Sequence, residues 1–286
     1  MAKPWDVRAI LAGAVFTTGP AFTTGPASAL EMAPYEAVYD LRLTHASSSL
    51  GPRAATGISE SKLTDTCDGW DLKSHVVLNL AFRDDEVSSN ERFFSSWESK
   101  DGKTYRFAAH TIKNGNVVED YKGTATFQRS GTGRATYEAP PVKEGGKPRT
   151  FTITLPHGTL LPMTYTKELI DQATRGEPLF RSIVLNGAAS RGPRIMSTAI
   201  GPAILPPHLT EADDVDISLL SAPAWRMSVA YFNLGERRDM PNTEMFMQMH
   251  GTGINESFEQ TFTDSTLSAH LQRLRRVDPP NCGAKR

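Results

Sequence analysis

Apolar and polar residues alternate along most of this chain, and a period of two points to β-strand. In YEAVYDLRLT, Tyr35, Ala37, Tyr39, Leu41 and Leu43 fall on one face, while Glu36, Asp40 and Arg42 fall on the other. In WDLKSHVVLNLAF, Trp70, Leu72, Val76, Leu78, Leu80 and Phe82 share a face opposed by Asp71, Lys73, His75 and Asn79. KTYRFAAHTI and NVVEDYKGTATF repeat the pattern on either side of Asn114-Gly115. That dipeptide suits a two-residue hairpin turn in which both residues need positive φ. RTFTITL, FRSIVLNG, PAWRMSVAYF, NTEMFMQMHG, ESFEQTF and TLSAHLQRL follow at a spacing of roughly ten residues, with turn residues between them.

One stretch departs from this. In TYTKELIDQATRGEP, Tyr165, Leu169, Ile170 and Ala173 lie on one helical face. Thr164 is placed to cap the start, and Gly176 and Pro178 end it. The pattern predicts an all-β fold: a curved antiparallel sheet of roughly 12–14 strands, apolar on one side, with one main helix over about 164–176.

The N-terminus reads differently. Lys3 and Arg8 give a positive start, residues 10–16 are apolar, and Ala27-Ser28-Ala29 offers small residues for cleavage. This predicts a secretory signal peptide over residues 1–29, cut between Ala29 and Leu30. FTTGPA, repeated in tandem from Phe16 and Phe22, falls inside the segment to be removed. No composition break divides the remainder, so residues 30–286 read as one exported domain that does not span the membrane. The two cysteines, Cys67 and Cys282, would then meet an oxidising compartment. Their spacing is not that of a CxxC redox motif, and two cysteines cannot alone build a zinc site. One bridge is the simplest reading, against two separate thiols, and it would tie the first strand of the domain to the last. The formal net charge of −1 leaves no basic field for nucleic acid or an anionic membrane.

Several stretches together carry a resemblance. They are APYEAVYDLRL, the Cys67-Asp68-Gly69-Trp70 step, WESKDGKTYRF, LPHGTLLPM with the helix after it, and the terminal Asn281-Cys282. The chain resembles the EipB-like family of periplasmic cell-envelope integrity proteins, long catalogued as a domain of unknown function. The similarity runs over about 34–282. It implies a β-spiral, a long antiparallel sheet wound into an incomplete barrel, and a disulfide between Cys67 and Cys282. It carries over no catalytic residue. Residues 283–286 extend past the last cysteine.

The residues themselves give little chemistry. Ser59-Glu60-Ser61-Lys62 matches SxxK and Ser88-Ser89-Asn90 matches SxN. Penicillin-binding enzymes place that serine at a helix start, one turn from the lysine. Here the segment reads as a strand, which sends Ser59 and Lys62 to opposite faces, and no KTG follows. His45, His75, His110, His157, His208, His250 and His270 are scattered without ligand spacing. Met245, Met247 and Met249 alternate as core filling does, although thioethers can hold Cu(I). The acidic run at 211–216 lacks the glycine and final glutamate of a calcium loop and reads as solvated, as does Asp84-Asp85-Glu86. Trp70 and Trp97 are expected in the core beside the disulfide, with sugar stacking as the alternative.

The expectation is a non-enzymatic periplasmic protein without cofactor or metal. It would support cell-envelope integrity by binding an envelope protein or peptide, received at the concave side or at an unpaired edge strand. The alternative keeps the location and has the apolar concave side carry a lipid or acyl chain. An envelope hydrolase, the third class, lacks a catalytic constellation.

Overall fold

The alternating segments become strands of one continuous sheet. The computed structural model of the protein describes residues 32–46, 51–83, 86–128, 130–141, 146–188, 192–205, 214–236, 240–262 and 265–283. Among these, fifteen strands and one α-helix occur in the order β1 (Tyr35–Ala46), β2 (Ala54–Asp65), β3 (Gly69–Ala81), β4 (Val87–Ser99), β5 (Thr104–Lys113), β6 (Asn116–Phe127), β7 (Gly133–Ala139), β8 (Arg149–Leu155), β9 (Thr159–Leu160), α1 (Pro162–Thr174), β10 (Leu179–Val184), β11 (Arg194–Ile204), β12 (Ala224–Asn233), β13 (Thr243–His250), β14 (Asn255–Thr261) and β15 (Ser265–Arg276). The expected cleavage site, Ala29 and Leu30, lies outside the described residues, as do Asp84, Asp85, His208 and 211–213.

The sheet order is β8-β7-β6-β5-β4-β3-β2-β1-β15-β14-β13-β12-β11-β10-β9. Every pairing is antiparallel except β9 with β10. The first and last strands therefore meet in the middle of the ribbon, from Tyr35 opposite Arg276 to Ala46 opposite Ser265. The outer edges, β8 and β9, are separated only by residues 156–158. Four peptide steps span at most roughly 14 Å, so the ribbon must curl until its edges almost meet. The result is the all-β, incompletely closed barrel that the pattern and the resemblance imply, with one strand more than the expected range.

The turn at Asn114-Gly115 has φ of 51° and 77°, as a type I′ hairpin requires. The expected face of β3 points inward, with Trp70 3% exposed. The same holds for Ala37, Tyr39 and Leu41 on β1, all buried. Met247 and Met249 are buried on the inner face of β13, where they pack as core.

The helix sits inside the barrel. Met163, Tyr165, Leu169, Ile170 and Ala173 share one apolar cluster with Leu63 and Trp70 from one half of the ribbon. From the other half the same cluster takes Met196, Trp225, Met227 and Met247. Only an element in the lumen touches the inner faces of both halves. Burying each large apolar side chain contributes about 1.5–3 kcal/mol.

The helix starts at Pro162, and its cap comes from elsewhere in the chain. Leu161 supplies no capping side chain. Instead Glu98 on β4, 2% exposed, accepts from the backbone N–H of Met163 (2.7 Å) and of Thr164 (2.9 Å) and from the Thr164 hydroxyl (2.6 Å). Thr164 therefore holds the carboxylate rather than capping the helix itself. An anionic acceptor at a helix N-terminus also meets the positive end of the helix dipole. Burial raises the Glu98 pKa, and the three hydrogen bonds oppose that rise.

Cys67 lies in the β2–β3 turn and Cys282 in the tail after β15, and a disulfide joins them with Cα atoms 5.7 Å apart. The bond does not tie the first strand to the last, since β1 and β15 are already hydrogen-bonded neighbours. It reaches across β1 and fastens the tail to the β2–β3 turn. Cys67 has φ of 67°, unusual for a residue with a Cβ, and Asp65 Oδ1 accepts from its N–H at 2.8 Å. Trp97 stands beside this turn on the outer face and is only half-buried. Its Nε1 donates to Thr66 Oγ1 at 3.0 Å, and the Arg106 guanidinium lies 4.3 Å from its ring centroid. The expectation of Trp97 in the core is thus corrected. It covers Gly69, where an added Cβ would come within 2.4 Å of the indole.

Two predictions follow from these tethers. The disulfide closes a loop of 215 residues, which the loop-entropy relation equates with up to about 5 kcal/mol. Cys67→Ser and Cys282→Ser should each lower chemical-denaturation stability by a similar few kcal/mol, and the double variant should add almost nothing. Additive losses would show that the sulfurs act separately. Glu98→Ala should cost about 2–3 kcal/mol by leaving buried N–H groups unpaired. Because the folded pKa of Glu98 lies above its ordinary value, its contribution is full below that value and declines as pH rises through the folded pKa. The melting-temperature advantage of the wild type over Glu98→Gln should therefore shrink as pH is raised from acid to neutral. A gap that widens over that range would contradict the buried-carboxylate account.

Candidate functional site: the barrel lumen

The lumen is divided lengthwise. Towards the end with the β2–β3 and β13–β14 turns it is filled by α1, Trp70, Trp225 and Met249. Towards the other end it holds a cavity of about 460 Å³. That volume lies within the usual range for small-molecule pockets.

Strand phase places the wall residues. Leu41, Ser59, Val76 and Leu78 come from the inner faces of β1, β2 and β3. Tyr231, Met245, Phe258, Gln260 and Leu267 come from β12 to β15. Arg92 from β4, Arg194 from the first turn-proximal position of β11, and Asn186 and Ala188 complete the lining. Aliphatic and aromatic residues alternate around the walls with polar ones, Ser59, Arg92, Asn186, Arg194, Thr243, Gln260 and Ser268.

Residues 185–188 cross the interior as a strap. The Tyr105 hydroxyl donates to the carbonyl of Asn186 at 2.8 Å, and the Tyr121 hydroxyl to that of Gly187 at 3.0 Å. Arg92 Nη2 donates to the carbonyl of Ala188 at 2.5 Å. Burial raises the pKa of both phenols, so they remain protonated donors. Arg92 is neutralised by Glu119, whose carboxylate lies 2.8 Å from Nη1. No carboxylate, histidine, lysine or cysteine is among the described residues lining the cavity. Its hydroxyls, Ser59 and Ser268 among them, thus have no adjacent base to activate them.

The cavity leads to an apolar rim. In an antiparallel ribbon, alternate turns fall at the same end. The β1–β2, β3–β4, β5–β6, β12–β13 and β14–β15 turns lie at the cavity end. Six of the twelve exposed large apolar side chains among the described residues cluster there: Val87, Val117, Val118, Leu234, Met240 and Phe262. Phe262, 43% exposed, belongs to both rim and cavity wall.

The residues singled out by motif fall elsewhere. Ser59 lines the lumen, whereas Lys62 pairs with Glu36 on the outer face, so the SxxK match does not bring them together. His75 and His110 flank Phe93 in an outer groove of about 500 Å³. His75 stacks on Phe93 with centroids 4.4 Å apart and faces Glu91 at 2.9 Å. That groove carries charges of both signs, Lys62, Lys73 and Arg273 against Glu36, Glu60 and Asp120, as a solvated sheet face does. His250 is buried and held by the Ala222 carbonyl and Glu256. Among the described residues no group of three or more histidine, cysteine or acidic side chains is placed to hold a metal ion. From the acidic run, Asp214 pairs with Arg275, and Asp216 accepts from Ser218 N–H at the start of a short 3₁₀ turn. Among the described residues no helix is long and apolar enough to cross a membrane.

Comparison with known proteins agrees with this architecture. The EipB-like family model matches residues 26–278. The chain is 23% identical over 252 residues to the cell envelope integrity protein EipB of Brucella abortus, covering 87% of this chain and 85% of that one. A crystal structure of a beta-barrel-like protein of a domain of unknown function, also from Brucella abortus, superposes with a TM-score of 0.76. Its sequence identity is 21%, and the match covers 87% of this chain and 99% of the other. The chain belongs to the EipB-like family.

Proposed function

We propose that this protein is exported to the periplasm after removal of residues 1–29 and supports envelope integrity by holding an acyl chain in its lumen. The carrying observation is the cavity of about 460 Å³, walled by Leu41, Val76, Leu78, Phe258 and Leu267. Burial of apolar area is the main force available to such a site, at about 25 cal/mol per Å². A preformed apolar hole suits a flexible hydrocarbon chain, whereas an extended peptide would bring backbone N–H and C=O groups that these walls cannot satisfy. The rim of Val117, Val118, Met240 and Phe262 supports the same reading, since a lipid leaving a bilayer needs an apolar approach. The relative in Brucella abortus is named a cell envelope integrity protein, which supports the envelope part of this reading. The reading assigns no reaction to the lumen.

A peptide partner remains as the second reading, and one feature favours it. Among the described residues β8 pairs only with β7, so its outer edge is open, and Phe151 on it is 41% exposed. Such an edge can accept an added strand.

The neutral fluorophore N-phenyl-1-naphthylamine separates the two. The wild type should bind it saturably at one site. Ser59→Phe, which puts a ring into the cavity, should weaken binding at least about tenfold while the melting temperature stays within a few degrees. Absent binding, or binding that Ser59→Phe leaves untouched, removes the lumen as the acyl site.

A further inference from the structure

Two guanidiniums line the cavity, Arg92 and Arg194, and no carboxylate does. Their situations differ. Arg92 is matched by Glu119 at 2.8 Å and is also bound to the strap carbonyl of Ala188. Arg194 has no such match. Among the described residues its guanidinium forms no ion pair, and its Nε, shielded from solvent, has no hydrogen-bond partner. Arg194 is half-buried beside apolar walls, and giving up part of a cation's hydration is costly where no opposite charge among the described residues replaces it. Among the described residues lining it, the cavity therefore carries one positive charge in excess.

A second donor stands on the same wall. Among the described residues the Tyr231 hydroxyl has only the Met245 thioether as its partner, 3.9 Å away, and a thioether is a weak acceptor. Burial keeps Tyr231 protonated, and the two groups line the same cavity, Arg194 lying opposite Asn233 in the ladder, two residues along β12 from Tyr231. A planar fork of N–H donors beside a phenol O–H is the arrangement that a group with two or three anionic oxygens satisfies.

We infer that Arg194, with the Tyr231 hydroxyl, receives the anionic head of a single-chain amphiphile whose tail lies along Leu78, Met245 and Leu267. The inference rests on the acyl-binding reading of the lumen and adds the class of ligand. A carboxylate and a phosphate monoester share the required chemistry. The positive charge of Arg194 favours an anionic head over a neutral one. The tail accounts for the apolar walls, and the head accounts for a cation that no described residue neutralises.

Isothermal titration with three sixteen-carbon probes tests this: hexadecanoate, hexadecyl phosphate and neutral hexadecanol, each below its aggregation limit at pH 7.5. The wild type should bind at least one anionic probe about tenfold more tightly than hexadecanol. Which anion binds more tightly identifies the head as a fatty acid or a phospholipid type. Arg194→Gln should remove the preference and leave hexadecanol affinity unchanged, while Arg194→Lys should restore part of it. Thermal melts give an independent readout. The ligand-free Arg194→Leu variant should melt at or above the wild type, because it removes an unpaired charge, yet hexadecanoate should no longer raise its melting temperature. Equal binding of hexadecanol and both anions by the wild type overturns the head assignment and leaves acyl binding standing. A preference that survives Arg194→Gln overturns the role of Arg194. Absence of binding by all three probes overturns both readings.

Discussion

The pairing of the first strand with the last governs this molecule. β1 lies at the centre of the ribbon, between β2 and β15, and residues 241 positions apart in sequence face one another, Tyr35 and Arg276. Each half of the ribbon, β1–β8 and β15–β9, is made almost wholly of hairpins and could assemble locally. Only the β1–β15 ladder converts two ribbons into one curved wall, and closing so long a loop is the slow, entropically opposed step. The apolar cluster behind the seam, Ala37, Tyr39 and Leu41 with Ala269 and Leu274, is what such a closure can bury. The disulfide then holds the tail over that seam, so sulfur reinforces a junction that hydrogen bonds define.

Once the ribbon curls, its inner face is too wide for side chains alone to fill. The chain solves this at one end only. After β9 the chain turns inward, and α1 and the strap of residues 185–188 occupy the interior, with β10 returning to the wall between them. Glu98 anchors the start of that segment through the helix N-terminus, and Tyr105, Tyr121 and Arg92 anchor its end through carbonyls. All four anchors come from β4, β5 and β6. The first half of the barrel thus holds the helix start and the strap by hydrogen bonds, while the other half receives the helix through Met196, Trp225, Met227 and Met247 and through a buried hydrogen bond of 2.6 Å between the Tyr165 and Thr198 hydroxyls.

This division also explains what could be read from the sequence. Strands whose inner positions are apolar, such as β1, β3, β5 and β13, declare themselves by alternation. β4 does not. Its inward residues are Ser88, Asn90, Arg92, Phe94, Ser96 and Glu98, so the polar pattern runs on both faces and no period of two emerges. β11 begins with an inward Arg194 and is interrupted at Gly201-Pro202, where its register with β12 shifts. β7 presents small Gly133 and Ala135 inward before Tyr137. The segments absent from the alternation reading thus include the two that supply Arg92, Glu98 and Arg194. The helix and its buried face were legible because nothing polar interrupts Tyr165, Leu169, Ile170 and Ala173. Its cap was not, since Glu98 lies 66 residues before Thr164 and only the folded wall brings them together. A polar residue at an expected inward position was the one available sign of the site, and it looks the same as a broken strand.

Arg92 and Arg194 illustrate why that sign carries information once the fold is known. Both break an apolar inner face, and both are costly to bury. Arg92 is satisfied from within, by Glu119 and the Ala188 carbonyl, and its position fixes the strap. A structural role is sufficient for it, because every interaction it needs is made by the empty protein. Arg194 has the same chemistry, but among the described residues it has no ion pair and its Nε no hydrogen-bond partner, although β10 and β12 pack on either side of it with their ladders intact. Leucine or methionine at that position would extend the cluster of Val184, Met196 and Val229 without cost to the sheet. A chain selected for stability alone has no reason to keep a guanidinium there. Its retention in the folded wall makes sense if the relevant state of the lumen is an occupied one, in which the missing counter-charge arrives with the ligand.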